Sequence, residues 1–296
     1  MITKGILALA ALALPAAAQA NEASPCPVAA AERQAALYDA AALVAEPAKL
    51  DALIACLADS DPHARDDFAF SALAKAMRSE GFPAALVKRA HSQLMAILDD
   101  DSADPYGVRR PFAIIALAEV ARYDRINILL TPSERRALAE TATAYLHSVT
   151  DYRGYVEGAG WRHGIAHGAD LMMQLALNPD LHPDDAAQML GAIAAQVAPH
   201  SGHSYVHGES RRLTRPVLFL AASGKLSDEQ LAAFFTRLKP DDAPRWREPY
   251  ASLAGLAALH NSRAFAMPLL VDVMRSKDAA VRRMEAPLLD LLSSLP

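Results

Sequence analysis

Apolar residues recur three and four positions apart along most of the chain. Proline, glycine and aspartate interrupt that rhythm about every 12 to 20 residues, and strict alternation of apolar and polar positions is nearly absent. The pattern predicts helix after helix. A first helix is expected over residues 27–38, where Pro27 at the first helical position costs no hydrogen bond. A second, over 49–58, carries Leu50, Leu53, Ile54 and Leu57 on one face. Asp61-Pro62 reads as a cap and first-turn proline, opening a helix through Phe68, Leu73 and Met77 towards Gly81. Further helices are expected over 83–98, 161–177, 183–197, 210–222 and 249–260. Residues 109–123, apolar on most sides, predict a buried central helix. Thr131-Pro-Ser-Glu134 and Ser227-Asp-Glu-Gln230 are capping boxes that start helices reaching about Val149 and Leu238. From Ser262 onward two more helices are expected, kinked or broken by Pro268 and Pro287.

About thirteen helices with short connections predict an all-α chain of antiparallel pairs stacked in one direction. The expected architecture is an irregular α-solenoid, or α-α superhelix; the alternative is a compact α-α toroid. Asp61-Pro-His-Ala-Arg65 and Asp278-Ala-Ala-Val-Arg282 each put an acid at a helix start and an arginine one turn later. That arrangement resembles the HEAT type of helical repeat, in which the acid caps and the arginine pairs with neighbouring units.

One stretch breaks the alanine- and leucine-rich pattern. Between Asp151 and Asp170 the chain gathers Arg153, Tyr155, Glu157, Trp161, His163 and His167 among five glycines. Placed on a helix, His163, His167, Asp170 and Gln174 share one stripe. Exposed helix faces carry Lys, Glu and Arg rather than His and Asp, and Gly164 and Gly168 each lower helix propensity by about 1 kcal/mol. Such glycines make sense where another segment or a ligand comes close; the plain alternative is a solvent-facing stripe. Arg153 is expected to pair with Asp151 or Asp170 and hold the helix start. A second polar patch holds His200, His203 and His207, then Glu209, Arg211 and Arg212. His203 and His207 repeat the spacing of His163 and His167. Four residues on a helix span about 6 Å, so each pair is a candidate for one divalent metal ion. Asp170 would then orient His167 from outside the coordination shell, and Glu157 or Glu209 would complete a site or act as base on metal-bound water. Against these stand the absences: no phosphate loop, dinucleotide fingerprint or zincin motif, and Ser204 lacks both the strand and the closing glycine of a nucleophile elbow.

Composition bears mainly on location. Residues 1–20 read as a secretory signal, with Lys4, an apolar run and the small-x-small site Ala18-Gln19-Ala20. The run of about 14 residues is short for a membrane span. Export to a periplasm or outside the cell is expected, with 21–296 as one helical domain. The formal charge of −5, with no basic block, argues against nucleic acid. Cys26 and Cys56 are the only cysteines. They either close a disulfide tying the first helix to the next, worth about 3 to 4 kcal/mol, or remain buried thiols on helices that never meet.

Asp151-x-Arg-Gly-Tyr155, Gly160-Trp-x-His163-x-x-x-His167-x-x-Asp170-Leu171 and Glu209-x-x-Arg212-Leu213 resemble the bacterial domain-of-unknown-function family numbered 2785. Asp61-Pro-x-x-Arg65 and Arg110-x-Phe112 extend the resemblance to most of the chain, about 48–296. In the family pattern the position of Arg162 is usually small, and the two residues after Glu209 are usually acidic where this chain has Ser210 and Arg211. The resemblance implies a helical-repeat-like fold and no known reaction. The leading expectation is a scaffold binding a small molecule or protein through Asp151, Arg153, Tyr155, Trp161, Asp170, Glu209 and Arg212. The alternative is a metal-dependent hydrolase of the cell envelope, with His163, His167, His203 and His207 as ligands. A purely structural polar network is the third reading.

Overall fold

The computed structural model describes residues 24–100, 102 and 104–296; the secretory-signal expectation lies outside them. The helix expected over 27–38 is replaced by two 3-10 turns, Ala30–Glu32 and Ala35–Tyr38. Neither has a side-chain cap, and a lone turn pays the cost of helix nucleation with little propagation to offset it. Fourteen α-helices follow among the described residues. They are α1 (Ala40–Ala45), α2 (Ala48–Cys56), α3 (Ser71–Met77), α4 (Ala84–Asp99), α5 (Arg109–Asn127), α6 (Pro132–Ser148) and α7 (Gly164–Ala176). The rest are α8 (Pro183–Val197), α9 (Glu209–Ala222), α10 (Asp228–Arg237), α11 (Pro244–Arg247), α12 (Leu253–Arg275), α13 (Ala279–Arg282) and α14 (Glu285–Ser294). A π-helical stretch, His63–Phe70, runs into α3 without a break.

The main helices alternate between two rows. One row packs α2 on α4, α4 on α6, α6 on α8, α8 on α10 and α10 on α14; the other packs α3 on α5, α5 on α7, α7 on α9 and α9 on α12. This is an irregular α-solenoid of stacked helix pairs. The second row is the more deeply covered. α7 is buried on both sides from Gly164 to Met172, so the His-Asp stripe is not a solvent-facing surface. Its glycines admit α6: a Cβ on Gly168 would lie 3.0 Å from Leu146 Cδ1, and one on Gly164 would lie 3.1 Å from the Tyr145 hydroxyl.

Both capping boxes form, at Thr131 and Ser227. Pro268 does not interrupt its helix: α12 runs through it for 23 residues. The carbonyl it leaves without a donor, that of Ala264, lies on the half-buried side of the helix, where water can satisfy it. Asp124, at the end of α5, gathers five donors: the backbone of Leu129 and Leu130, Arg135 Nε and Nη2 of α6 at 2.8 and 3.3 Å, and Asn178 Nδ2 at 2.8 Å. It ties three helices at one point. Cys26 and Cys56 are joined in a disulfide that fixes the N-terminal segment to α2.

Candidate functional site

Between α6 and α7 the chain makes a two-stranded hairpin, β1 (Tyr155–Val156) and β2 (Gly160–Trp161), paired antiparallel with Tyr155 opposite Trp161. The sequence pattern gives no warning of strands this short. Beyond the hairpin, the backbone N–H of Arg162 donates to the Gly154 carbonyl at 2.9 Å, and that of His163 to the Arg153 carbonyl at 3.1 Å. α7 therefore begins at Gly164 rather than at residue 161, with His163 preceding it in the left-handed conformation at φ 55°. That conformation costs a non-glycine residue about 1 kcal/mol or more, and such strain concentrates at functional sites.

Arg65 holds the hairpin in place. Its guanidinium is fully buried, donates to the carbonyls of Ala159 and Trp161 at 3.2 Å each, and reaches the Asp59 carbonyl at 2.9 Å. It also lies 4.7 Å from the centre of the Phe112 ring. Gly160 has φ 73° and packs so tightly that a Cβ would stand 2.6 Å from Pro62 Cβ. The first acid-arginine motif therefore behaves as its resemblance implied, with Asp61 accepting from the His63 backbone and Arg65 bridging to a distant segment. In the second, Asp278 also caps, accepting from the Ala280 backbone N–H at 2.8 Å, but Arg282 bonds locally, to the Met274 carbonyl and to Glu285.

Three polar atoms meet beneath the hairpin. Glu209, the first residue of α9, is 2% exposed; its Oε1 lies 3.9 Å from His163 Nδ1 and 3.7 Å from His207 Nδ1. None of the three atoms has a hydrogen-bond partner, while the other Glu209 oxygen accepts from the His207 backbone N–H at 2.9 Å. Trp161 stacks on His163 with ring centres 4.3 Å apart and meets His207 edge-on. Tyr155 stands edge-on to Trp161, and both aromatics keep an exposed face. Gly154 lets His207 in, since a Cβ there would fall 2.3 Å from His207 Nδ1.

The remaining expected site residues lie elsewhere. His167 Nδ1 donates to the Pro111 carbonyl at 3.1 Å, and its ring sits edge-on to Phe112. A carbonyl only accepts, so the proton is on Nδ1 and the lone pair on Nε2. Asp170 pairs with Arg212 rather than orienting His167. Arg153 pairs with Asp151 within the loop, half-exposed. His203 stacks on Tyr152 and meets Tyr205 edge-on. Residues 202–206 are not helical, so His203 and His207 do not share a helix turn; His163 and His167 still bracket the first turn of α7, with the His167 backbone N–H donating to the His163 carbonyl at 2.9 Å and the rings edge-on at 5.7 Å. His163 thus stands between two histidines, His167 one turn on and His207 across Glu209 from a later segment. Among the described residues, no group of three or more His, Cys, Asp or Glu side chains is set to hold a metal ion. Arg65, Phe112 and Gly154 belong to the site's frame. In the sequence Arg65 and Phe112 are marked only as members of short motifs, and Gly154 by the odd composition of its loop.

Burial dominates the electrostatics. It pushes the His163 imidazole down to about 4, with Arg212 and His207 adding to the effect, and His167 to about 3, with His163 adding to it. Both are neutral at physiological pH. Burial also raises the Asp170 carboxyl, against the opposing pull of Arg212.

Fold and site together define a helical-repeat protein with an aromatic-walled histidine-carboxylate cluster on its inner row. Residues 94–271 match the family described as protein of unknown function (DUF2785), and the chain belongs to that family. The match spans the hairpin, α7 and Glu209, and begins after Arg65. No curated protein and no solved structure matches the chain. No helix of the described residues is long and apolar enough to cross a membrane.

Proposed function

We propose that this chain is an exported helical scaffold that binds a cationic N–H donor, such as an amine, at the cluster formed by Glu209, His163 and His207. The observation that carries this reading is the convergence of two unpartnered imidazole nitrogens within 3.9 Å of Glu209 Oε1, itself unpartnered. A buried polar group left unsatisfied costs about 1–3 kcal/mol, which a ligand donating to the carboxylate would recover. The exposed face of Trp161 beside it favours a cation. Export is supported by the pattern of residues 1–20 and by the Cys26–Cys56 disulfide, a bond that persists in oxidising compartments.

The test is a thermal-shift titration of the mature chain with small amines, run beside the nearly isosteric Glu209→Gln. Saturable stabilisation that disappears in Glu209→Gln is expected. An equal response in both chains, or none in the native chain, overturns the reading.

The metal-dependent hydrolase reading keeps one favourable observation. Two imidazole nitrogens and a carboxylate oxygen are the donor types zinc prefers; His163, His207 and Glu209 bring these types near one another, and a metal would have to draw them into a coordinating arrangement that the described residues do not already make. Metal analysis of protein prepared without chelator or histidine tag, beside a His163→Ala/His207→Ala variant, separates the two readings. Stoichiometric metal lost in the variant favours the hydrolase. An amine response from metal-free protein favours the scaffold.

A further inference from the structure

A cavity lies against the start of α7, apart from the Glu209 cluster. It encloses about 180 Å³ and is lined by Arg110, Arg162, Tyr145, Gly164, Asp104 and Asp151, among others. Arg162 is only 6% exposed, and its Nε has no hydrogen-bond partner. Its one hydrogen bond runs from Nη1 to the Ala159 carbonyl. Among the described residues, no carboxylate lies within ion-pair distance of Arg162 or of Arg110.

The acids nearest Arg162 are already engaged. Asp151 accepts from Arg153 through both oxygens, and Asp66 accepts from Arg65 Nε at 2.7 Å. Asp104 receives the backbone N–H groups of Val108 at 3.0 Å and Arg110 at 3.3 Å. Arg110 and Arg162 thus line the cavity without an ion-pair partner, beside Asp104 and Asp151, whose oxygens are occupied by backbone N–H groups and by Arg153. A buried charge without a counter-charge is expensive, and the usual remedy is a partner of opposite sign.

The backbone adds to the same field. α7 starts at Gly164, which lines the cavity, and no side chain caps it because His163 is turned into the left-handed conformation. An uncapped helix start presents free N–H groups and the positive end of the helix dipole. Tyr145, whose phenol burial keeps protonated, also lines the cavity.

We propose that this cavity is a binding site for a small oxyanion, a phosphate or carboxylate group, held by Arg162 and Arg110 at the N-terminus of α7. It is separate from the Glu209 cluster and takes a ligand of opposite charge. The test is calorimetric titration of the full mature chain with inorganic phosphate and with acetate, at ionic strength held constant with chloride. Arg162→Gln and Arg110→Gln are run in parallel, with circular dichroism to confirm folding. Saturable binding of either anion is expected, weakened about tenfold or more in each variant, as befits the loss of a charge-assisted hydrogen bond. Preference for phosphate assigns a phosphoryl ligand, and preference for acetate a carboxylate. No anion binding beyond that of chloride, or unchanged binding in the variants, overturns the site. If Arg162→Gln does not fold, the half-buried Arg110 decides the matter alone.

Discussion

His163 and His167 are neutral in the folded chain because burial removes the water that would stabilise their charge. Unfolded, each titrates near about 6.5. Between that value and the folded values of about 4 and about 3, the unfolded chain binds more protons. The stabilisation is therefore complete above the unfolded value and is lost as pH falls through the window, by up to about 1.4 kcal/mol per pH unit for each histidine. Urea unfolding between about pH 7.5 and about pH 4.5 should show native stability falling more steeply than that of His163→Gln/His167→Gln; parallel curves would remove the histidines as the cause. Both residues stood out in the sequence for their type and spacing. What spacing could not convey is that His163 leaves the helix and faces His207, since that depends on a backbone conformation set by the hairpin.

At the level of elements, the hairpin is the least self-sufficient part of the chain. Two residue pairs make its ladder, and a hairpin this small is not stable alone in water. Arg65 supplies what it lacks. Arg65→Met keeps the bulk but strands the carbonyls of Asp59, Ala159 and Trp161, with an expected cost of about 3 to 5 kcal/mol, the range for losing one partner of a buried ionic network. Urea unfolding gives the loss, and the fluorescence of Trp161 should shift before global unfolding as the hairpin detaches; a loss under about 1 kcal/mol would mean that Arg65 is not the anchor. Elements with their own start signals were legible, as the Thr131 and Ser227 boxes show. Those resting on distant contacts were not: the first expected helix dissolved into turns, and α12 runs through Pro268.

Across the whole molecule, stability should fall from the inner row outward. In a stack of helix pairs each unit gains most of its stability from its neighbours, and α7 has them on several sides: α5, α6 and α9. Native-state hydrogen exchange should find the slowest amides in α5 and α7 and the fastest in α1, α13 and α14, at the ends of the stack. The disulfide will blunt fraying at the N-terminal end, worth about 3 to 4 kcal/mol for a loop of its length. Reduction should therefore speed exchange in α1 and α2 while leaving α7 unchanged; uniform exchange across the rows would deny the stack its gradient.

The sequence alone determined the helical content, most helix starts, the stacked-pair architecture and the stretch where polar, aromatic and glycine residues crowd together. All of these follow from local signals: the period of apolar residues, caps, and the composition of one loop. The tertiary structure alone decided which polar groups meet. His163, His207 and Glu209 converge because a glycine at 154 lets a later segment close against the hairpin. Arg162 is left without a counter-charge because Arg65 and Arg153 have already taken the acids beside it. Pairing between charges far apart in sequence depends on distance and on competition among all neighbours, and neither quantity exists until the chain has folded.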